Sequence, residues 1–455
     1  MWNHGSDDTT LKGPEDMQNN CLKGVRVGVD GFNMALPHGT GVARYGRTLA
    51  RRLNELGAQV DLLFGLGIGW KDPEDLRETL FLNAMAEEIP LQKARFPQPA
   101  WFSETGRHLR GHVPCPIALG ERTDIRALEH RLPPFDRIWN VPNLYRAASG
   151  FFRTTGRFLK VKNPLGVDVM HWTYPVPMRL DGARNIYTLH DTVPLTLPHT
   201  TQDNKRYYRK LLAMVCKKAD ALLTVSESSR KAVLDFEPAS APKLHNLGQS
   251  VEREEANYGD GAFHEPVFQG SVFPSLERKG YFLYYGALEP KKNIGRMVEA
   301  YLKADGAMPL VLVCGRAWKE QGETALLQQG VETGRIKIMD YLSERHLAAL
   351  LEGARAFLFP SLAEGFGLPV LEAMQAGVPV MTSCEGALAE IGGKAVLGVN
   401  PYHVDEMAAA IGKLERSGEL CAELTKKGLV QAKSFSPQHY RGKLVDFYKA
   451  LGVVG

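Results

Sequence analysis

Residues 356–383 read AFLFPSLAEGFGLPVLEAMQAGVPVMTS, and this stretch decides the fold. Phe357–Phe359 predicts the end of a buried parallel strand. Glu364–Gly367 is too rich in glycine for a helix and predicts a loop, while Pro369 suits the first turn of the helix that follows. Val380–Thr382 then predicts a second short buried strand. The stretch is therefore a strand, loop, helix and strand of an α/β domain.

A ligand site is expected at the glycine-rich loop of this stretch. In open α/β sheets, ligands bind beyond the carboxyl ends of the strands, where helix N-termini present unpaired N–H groups. The backbone amides of residues 365–368 can therefore hold a phosphate or sugar hydroxyls, and the carboxylates of Glu364 and Glu372 can each accept two hydroxyls of a polyol. Considered alone, Glu372 is also explained by a favourable interaction with the helix dipole, and Glu364 by a solvent-exposed position in a loop.

The stretch as a whole resembles the signature of the retaining glycosyltransferases of family four, in which two glutamates are separated by seven residues, as in EGFGLPVLEAMQAGVPV. This resemblance implies an α/β protein of the GT-B fold. Such a protein has two Rossmann-like domains facing a central cleft and a C-terminal helix that crosses back to the N-terminal domain. Matches to the family extend from about Gly24 to Leu451, with a gap near residues 70–163.

The chain has 455 residues, which is long enough for two domains that each bury a core. We predict a disordered tail at 1–22, an N-terminal acceptor-side domain at 23–262, a C-terminal nucleotide-sugar-binding domain at 263–435 and a crossover helix at 436–455. The polar, proline-bearing run 243–279 predicts the linker between the domains.

Composition argues against several classes of protein. The formal net charge of +4 is too small to demand nucleic acid, and it is compatible with an anionic membrane surface or a phosphorylated substrate. The six cysteines lack the spacing of metal ligands, and no run reaches the roughly 18 apolar residues of a membrane span. We therefore expect a cytoplasmic protein without a cofactor, able to lie peripherally on the inner face of the membrane.

Three segments before the linker carry further candidates. Gly39-Thr40-Gly41 precedes a periodic helical run and makes an anion site, although short glycine turns also join strands to helices for steric reasons. In the family that the chain resembles, such amides approach the donor diphosphate, which implies this role for Gly41. YTLHDTVPL resembles the family's strand-end HD motif, so His190 is implied to face the donor sugar and its leaving phosphate as a hydrogen-bond donor; a lone histidine is otherwise structural. TVSE at 224–227 resembles a motif that lines the cleft.

YYGALEPKKNIG, at 284–295, carries a candidate for the diphosphate. It resembles the family motif whose second basic residue contacts the donor diphosphate, which implies this role for Lys292. Without that resemblance, Lys292 is one of two neighbouring surface lysines. Many family members have an arginine where this chain has Ala287. The charge of the donor diphosphate is therefore expected to be neutralised by Lys292, by loop amides or by Arg316. The turn that contains Tyr341 resembles one that passes over the nucleotide base.

The reaction implied by the resemblance is transfer of a hexose from a nucleoside diphosphate sugar to an acceptor hydroxyl, with the anomeric configuration kept. The departing phosphate is expected to accept the proton, so no protein nucleophile is named, and the sequence has no DxD that would indicate a metal. LEPKKN looks most like members that use GDP-mannose in polysaccharide assembly, and we expect a glycan or lipid-linked saccharide as acceptor. The catalytic set is His190, Glu364 and Lys292, and the donor-binding set is Gly41, Arg316, Tyr341, Gly365, Phe366, Gly367, Leu368 and Glu372.

Other interpretations stay open at this point. A nucleotide-sugar epimerase or hydrolase of the same architecture would share the cleft, and a noncatalytic protein of this fold would bind the nucleotide sugar without turnover. Residues 144–160 predict a helix with one apolar and one basic face. The basic face carries Arg146, Arg153, Arg157 and Lys160. Such a helix either touches anionic lipid at the acceptor cleft or packs its apolar face on its own domain.

Overall fold

The computed structural model of the protein describes residues 20–36, 41–86, 111–120, 124, 128, 131–164, 166–251, 276–314, 324–340 and 342–454. The chain divides into two compact units. Met1–Thr188, Met214–Leu223 and Tyr440–Gly455 form the first unit, and Leu189–Ala213 with Thr224–His439 form the second. The tail predicted at 1–22 lies almost entirely outside the described residues, and so does the predicted domain boundary at 262/263.

Strands and helices alternate along much of the chain up to residue 251, as in other α/β proteins, although four strands follow one another between residues 159 and 189. The elements are β1 (Arg26–Asp30), α1 (Gly41–Glu55), β2 (Gln59–Phe64), α2 (Glu74–Ala86), β3 (Cys115–Ile117), β4 (Arg137–Asn140), α3 (Leu144–Thr155), β5 (Leu159–Val161), β6 (Val169–Trp172), β7 (Met178–Leu180), β8 (Arg184–Leu189), α4 (Val193–Thr196), α5 (Lys205–Lys218), β9 (Ala221–Thr224), α6 (Glu227–Phe236) and β10 (Leu244–Asn246).

The same alternation continues from residue 276. The elements are β11 (Phe282–Tyr285), α7 (Ile294–Lys303), β12 (Leu310–Val313), α8 (Thr324–Glu332), β13 (Ile336–Met339), α9 (Glu344–Gly353), β14 (Ala356–Phe359), α10 (Leu368–Gln375), β15 (Val380–Ser383), α11 (Gly386–Gly392), β16 (Leu397–Val399), α12 (Val404–Arg416), α13 (Gly418–Lys433) and α14 (Pro437–Ala450). The strand, loop, helix and strand predicted for 356–383 are therefore β14, α10 and β15 with the loop between them.

Two sheets organise these elements. An eight-stranded sheet has the order β10-β9-β8-β6-β1-β2-β4-β3, in which β1 pairs in parallel with β2 and β6, and β3 pairs antiparallel with β4. Strands such as β6 and β9 are buried at every residue, as parallel strands covered on both faces are. The small pair β5-β7 forms a separate parallel ribbon.

The six-stranded sheet lies in the second unit and has the order β13-β12-β11-β14-β15-β16, with every pairing parallel. Counted from β11, this is the doubly wound order 3-2-1-4-5-6. The direction of winding reverses between β11 and β14, and ligands of such sheets bind beyond the carboxyl ends of the strands at that reversal. The loops that follow β11 and β14 are therefore the expected site.

The C-terminal helix α14 returns to the first unit, as the predicted fold requires. Residues from Tyr440 onward belong to that unit, and Leu444, Phe447 and Tyr448 are buried in it. The Tyr448 hydroxyl lies 2.8 Å from Nε2 of His171, a fully buried residue of β6. This buried hydrogen bond attaches the helix to the sheet.

The helix predicted at 144–160 is wrong in its length. α3 ends at Thr155 because Gly156 adopts the left-handed conformation, with φ 69°, and its N–H donates to the Phe152 carbonyl. Leu159 lies in a strand instead. The apolar face of α3 is buried in the protein at Leu144, Ala148, Phe151 and Phe152, as the packing alternative predicts. Arg146, Arg153, Arg157 and Lys160 are exposed.

Asp30 is a second buried ionisable group in the first unit, at the end of β1 where the larger sheet reverses. Its carboxylate accepts hydrogen bonds from the backbone N–H groups of Phe32 and Thr173 and so ties the loops after β1 and β6 together. Burial raises the pKa of Asp30 to about 6, against the effect of these N–H donors. Burial lowers the pKa of His171 to about 3.

We expect these two groups to make opposing contributions to the pH dependence of the free energy of unfolding. Asp30 holds its proton more tightly in the folded chain, so its contribution falls as pH rises from 3.8 to about 6. His171 binds a proton less readily in the folded chain, so its contribution is lost as pH falls from 6.5 to about 3. Each slope is about 1.4 kcal/mol per pH unit, and the two cancel between about pH 4 and 6.

Single substitutions should remove this cancellation. Relative to the wild type, Asp30→Asn should lose stability on acidification from about pH 6 to about pH 4, whereas His171→Gln should gain stability. Urea-unfolding midpoints measured across this range test both expectations. Parallel profiles for the three proteins would contradict the assignment of these two pKa shifts.

Candidate active site

Glu364 and Lys292 meet at the reversal of the six-stranded sheet. Glu364 lies in the loop after β14, and Lys292 lies in the single helical turn Pro290–Lys292 after β11. The Lys292 Nζ donates to the Glu364 Oε1 at 2.6 Å, and the two side chains are only 14% and 11% exposed. The same ammonium lies 5.0 Å from the ring centroid of Phe359, the last residue of β14. Two of the three predicted catalytic residues therefore form one nearly buried ion pair.

The charges around this pair favour an ionised Glu364. Burial opposes its ionisation, but the ammonium groups of Lys292 and Lys291 outweigh burial and hold the pKa of Glu364 below its ordinary value. Burial likewise opposes the charge of Lys291, yet the carboxylates of Glu364, Asp191 and Glu289 raise the pKa of Lys291 above its ordinary value. The Lys291 Nζ lies 3.4 Å from Glu289 and 4.0 Å from Asp191. This cluster around Lys291 and Lys292 thus contains two lysines and three carboxyl groups.

Gly365 lies against the end of β8, next to His190. Its carbonyl accepts a hydrogen bond from Ser226 Oγ at 2.7 Å, and Ser229 Oγ lies 2.9 Å from the same carbonyl and 2.6 Å from the carbonyl of His190. A Cβ at residue 365 would lie closer than 3.0 Å to the His190 carbonyl oxygen, nearer than real Cβ atoms approach. Only glycine permits this approach of two backbones. The two serines therefore join the glycine loop to the strand end that carries His190, all within the second unit.

The loop ends in the N-terminus of α10. Gly367 precedes the helix with φ 116°, a conformation that favours glycine, and Leu368 is the first helical residue. Phe366 is buried and packs edge-on against Phe435, with ring centroids 5.6 Å apart. Because Phe366 is anchored in this way, the backbone of the glycine loop is held in place at the start of α10, and a helix N-terminus is a place where anions bind.

Glu372 lies one turn into α10 and is held from β11. The Tyr285 hydroxyl, at the end of that strand, donates a hydrogen bond to Glu372 Oε2. Both Glu364 and Glu372 thus lie at the reversal between β11 and β14, as their spacing in the sequence predicts. Tyr285 as a whole is only 8% exposed.

The remaining predicted residues are placed differently. Gly41 is the first residue of α1 and belongs to the first unit. Arg316 and Tyr341 lie outside the described residues, so their predicted roles stay predictions. Sequence reasoning missed Tyr285, although its position at a strand end just before Gly286 was a usable signal. It also treated Lys291 only as a neighbour of Lys292.

The residues of this site suit a ligand that carries both a phosphate and hydroxyl groups. Ammonium groups and helix N–H donors bind phosphate oxygens, and ionised carboxylates accept hydrogen bonds from sugar hydroxyls. Two sheets built mainly of parallel strands, a C-terminal helix that returns to the first unit, and this donor and acceptor set are typical of glycosyltransferases with the GT-B fold.

Comparison with known proteins identifies the family within that class. The chain matches the family description "Glycosyltransferase Family 4" over residues 39–245 and "Glycosyl transferases group 1" over residues 271–430. It is 32% identical, over 286 residues, to O-antigen chain mannosyltransferase B of Escherichia coli, and the match covers 61% of this chain and 72% of that protein. The chain belongs to glycosyltransferase family four, as its glutamate signature predicts.

A further relative and a solved structure add to these comparisons. The O-antigen chain mannosyltransferase RfbU of Salmonella typhimurium is 26% identical over 259 residues, which cover 57% of this chain and 67% of that protein. Among solved structures, Anabaena HepE, in complex with UDP and glucose, superposes with a TM-score of 0.60 at 13% identity and covers 94% of this chain and 100% of its own. The predicted GT-B fold is confirmed, and the chain is a mannosyltransferase-like glycosyltransferase.

Proposed function

We propose that this protein is a retaining hexosyltransferase that transfers mannose from GDP-mannose to a glycan or lipid-linked saccharide in polysaccharide biosynthesis. The observation that carries the proposal is the nearly buried Lys292–Glu364 pair at the sheet reversal, beside the N-terminus of α10. The mannosyltransferase relatives support mannose. HepE was solved with UDP, but at 13% identity that likeness concerns the fold.

In this mechanism the charge that develops on the leaving diphosphate is met by donors already in place. An ammonium has three N–H donors. One of those on Lys292 bonds to Glu364, and the others are proposed to bind the diphosphate together with the amides of residues 365–368. Gly41 and Arg316 are proposed to add donors, and His190 a hydrogen bond to the sugar or its phosphate.

The carboxylates are proposed to orient the donor. Glu364, ionised beside its two lysines, holds sugar hydroxyls and positions the ring, while Glu372 holds the ribose and the turn at Tyr341 contacts the base. The departing phosphate accepts the proton of the acceptor hydroxyl. The acceptor oxygen attacks the anomeric carbon from the same face that the phosphate leaves, so the configuration is retained. No DxD is present in the sequence, and a metal is not part of the proposed reaction.

We further propose that the acceptor is met at an anionic membrane surface on the cytoplasmic side. The support is the four exposed basic residues Arg146, Arg153, Arg157 and Lys160, since the apolar residues of α3 are already buried in the protein. Contact would therefore be electrostatic and sensitive to salt. Within the described part of the chain, no helix is long and apolar enough to cross a bilayer.

A panel of nucleotide sugars tests the proposed donor. At a donor concentration about 100 times Kd, GDP-mannose should stabilise the folded protein by about 2.7 kcal/mol, and other sugars with the same nucleotide should stabilise it less. Thermal-unfolding midpoints measure this effect, and mass spectrometry of the products follows transfer. If a different nucleotide sugar raises the unfolding midpoint more than GDP-mannose does, that sugar would be the donor instead. Free sugar or an isomer without a glycosylated acceptor would instead indicate a hydrolase or epimerase.

A further inference from the structure

Tyr285 connects the first strand of the six-stranded sheet to the helix that follows its reversal. Its ring packs on Phe357 of β14, with centroids 4.9 Å apart, and its side chain is nearly buried. Its hydroxyl donates to Oε2 of Glu372 on α10. Packing thus holds the Tyr285 ring in place, and its hydroxyl donates specifically to Oε2 of the Glu372 carboxylate.

Such a hydrogen bond restricts the carboxylate. A glutamate side chain has three rotatable bonds and, in a cleft, adopts several orientations unless something selects one. A donor on a buried ring selects an orientation without a large entropic cost, because the ring itself is already fixed. Bonds from O–H to an ionised carboxylate are among the stronger hydrogen bonds in proteins. Since each carboxylate oxygen has two lone pairs, Glu372 keeps acceptor capacity for a ligand.

We propose that Tyr285 is a positioning residue for Glu372 and that it orients this carboxylate to accept the two neighbouring hydroxyls of a ribose. The proposal rests on the function proposed above, in which Glu372 holds the ribose of the donor. Both ribose hydroxyls can be removed from the ligand while its base and diphosphate are kept, which makes the role testable without catalysis.

The test compares a nucleoside diphosphate with its 2′,3′-dideoxy form, using isothermal titration calorimetry. GDP is the probe, or UDP if the donor panel selects uridine. Tyr285→Phe should weaken binding of the ribonucleotide roughly tenfold, while it should change binding of the dideoxynucleotide less than about twofold. In a Glu372→Ala background, Tyr285→Phe should have no further effect on either nucleotide.

Tyr281→Phe is the matched control. Tyr281 directly precedes the same strand and is fully buried, and its hydroxyl donates to the backbone carbonyl of Leu350 at 2.5 Å. The control variant therefore loses a buried tyrosine hydroxyl at the other end of β11. It should bind both nucleotides as the wild type does, so any general loosening of the sheet is separated from the loss at Tyr285.

The outcomes distinguish this proposal from the function on which it rests. If the wild type prefers the ribonucleotide and Tyr285→Phe keeps that preference, the positioning role is overturned and the proposed function stands. If Tyr285→Phe weakens both nucleotides equally, the hydroxyl acts on the fold and not on the ribose contact, which also overturns the role. If the wild type binds both nucleotides equally, or binds neither, Glu372 does not contact the ribose, and the positioning role of Tyr285 is overturned with that contact.

Discussion

Replacement of Glu364 by alanine is expected to lower the turnover number about 1,000-fold, as loss of one strong transition-state interaction does. The substitution removes the proposed holder of the sugar hydroxyls. It also leaves the Lys292 ammonium, now 2.6 Å from an ionised carboxylate, without that partner in a nearly buried position. The Lys292 ammonium is then expected to move toward other hydrogen-bond acceptors, which disturbs its proposed contact with the diphosphate as well. Release of nucleoside diphosphate, measured with saturating donor and acceptor, reports the effect.

Two variants separate the chemistry from the fold. Glu364→Gln keeps the shape and an acceptor for Lys292 but loses the charge, so it should remain folded and still be slowed strongly. Glu423→Ala breaks a matched exposed pair, in which Glu423 and Lys427 are 55% and 48% exposed, and it should keep the wild-type rate. Wild-type turnover in Glu364→Gln would overturn the role assigned to this carboxylate.

The second large effect is expected from adding one methyl group at Gly365. In Gly365→Ala the new Cβ would approach the backbone carbonyl of His190 closer than 3.0 Å, so the loop or the strand end has to shift. Overpacking of this kind costs about 1–3 kcal/mol of stability. Displacement of about 1 Å can lower a rate about 100-fold, since the loop positions Glu364 and the helix amides. Thermal unfolding and turnover should be measured on the same preparation.

Gly442→Ala is the control for this substitution. A Cβ at Gly442, in α14, meets no atom within 4 Å, and alanine is the better helix former. This variant should therefore unfold at the same or a slightly higher temperature and keep its activity. A Gly365→Ala protein with wild-type activity would show that the close approach to His190 is not needed at the site.

The best-predicted part of the fold is the segment from β14 to β15. Its glycines, its proline and its short apolar runs are local signals, and each of them specifies backbone conformation within a few residues. The helix predicted at 144–160 failed for a local reason as well. The left-handed conformation of Gly156 ends the helix early, although the helical spacing of apolar residues continues in the sequence to Leu159. Strands β3 and β4 were missed because the surrounding sequence, proline-spotted and without clear periodicity, gave no pattern to read.

The candidate site was predicted as separate pieces. Glu364, Lys292 and Glu372 were each identified from a motif, and the motifs also identified the family. Nothing in the sequence indicated that Glu364 and Lys292 pair directly, since 72 residues separate them. The contacts of Ser226 and Ser229 with the glycine loop were equally hidden, because the sequence around them also fits the start of a helix, and Ser226 does cap α6.

The sequence by itself determined the α/β class, the order of strands and helices around the glycine loop, and the family. These follow from short-range chemistry, in which glycine, proline and apolar spacing restrict the backbone near them. Only the tertiary structure decided which charges pair, which hydroxyl orients Glu372 and why Gly365 admits no side chain. Those properties depend on distances between residues far apart in the chain, and packing between strands and helices sets such distances.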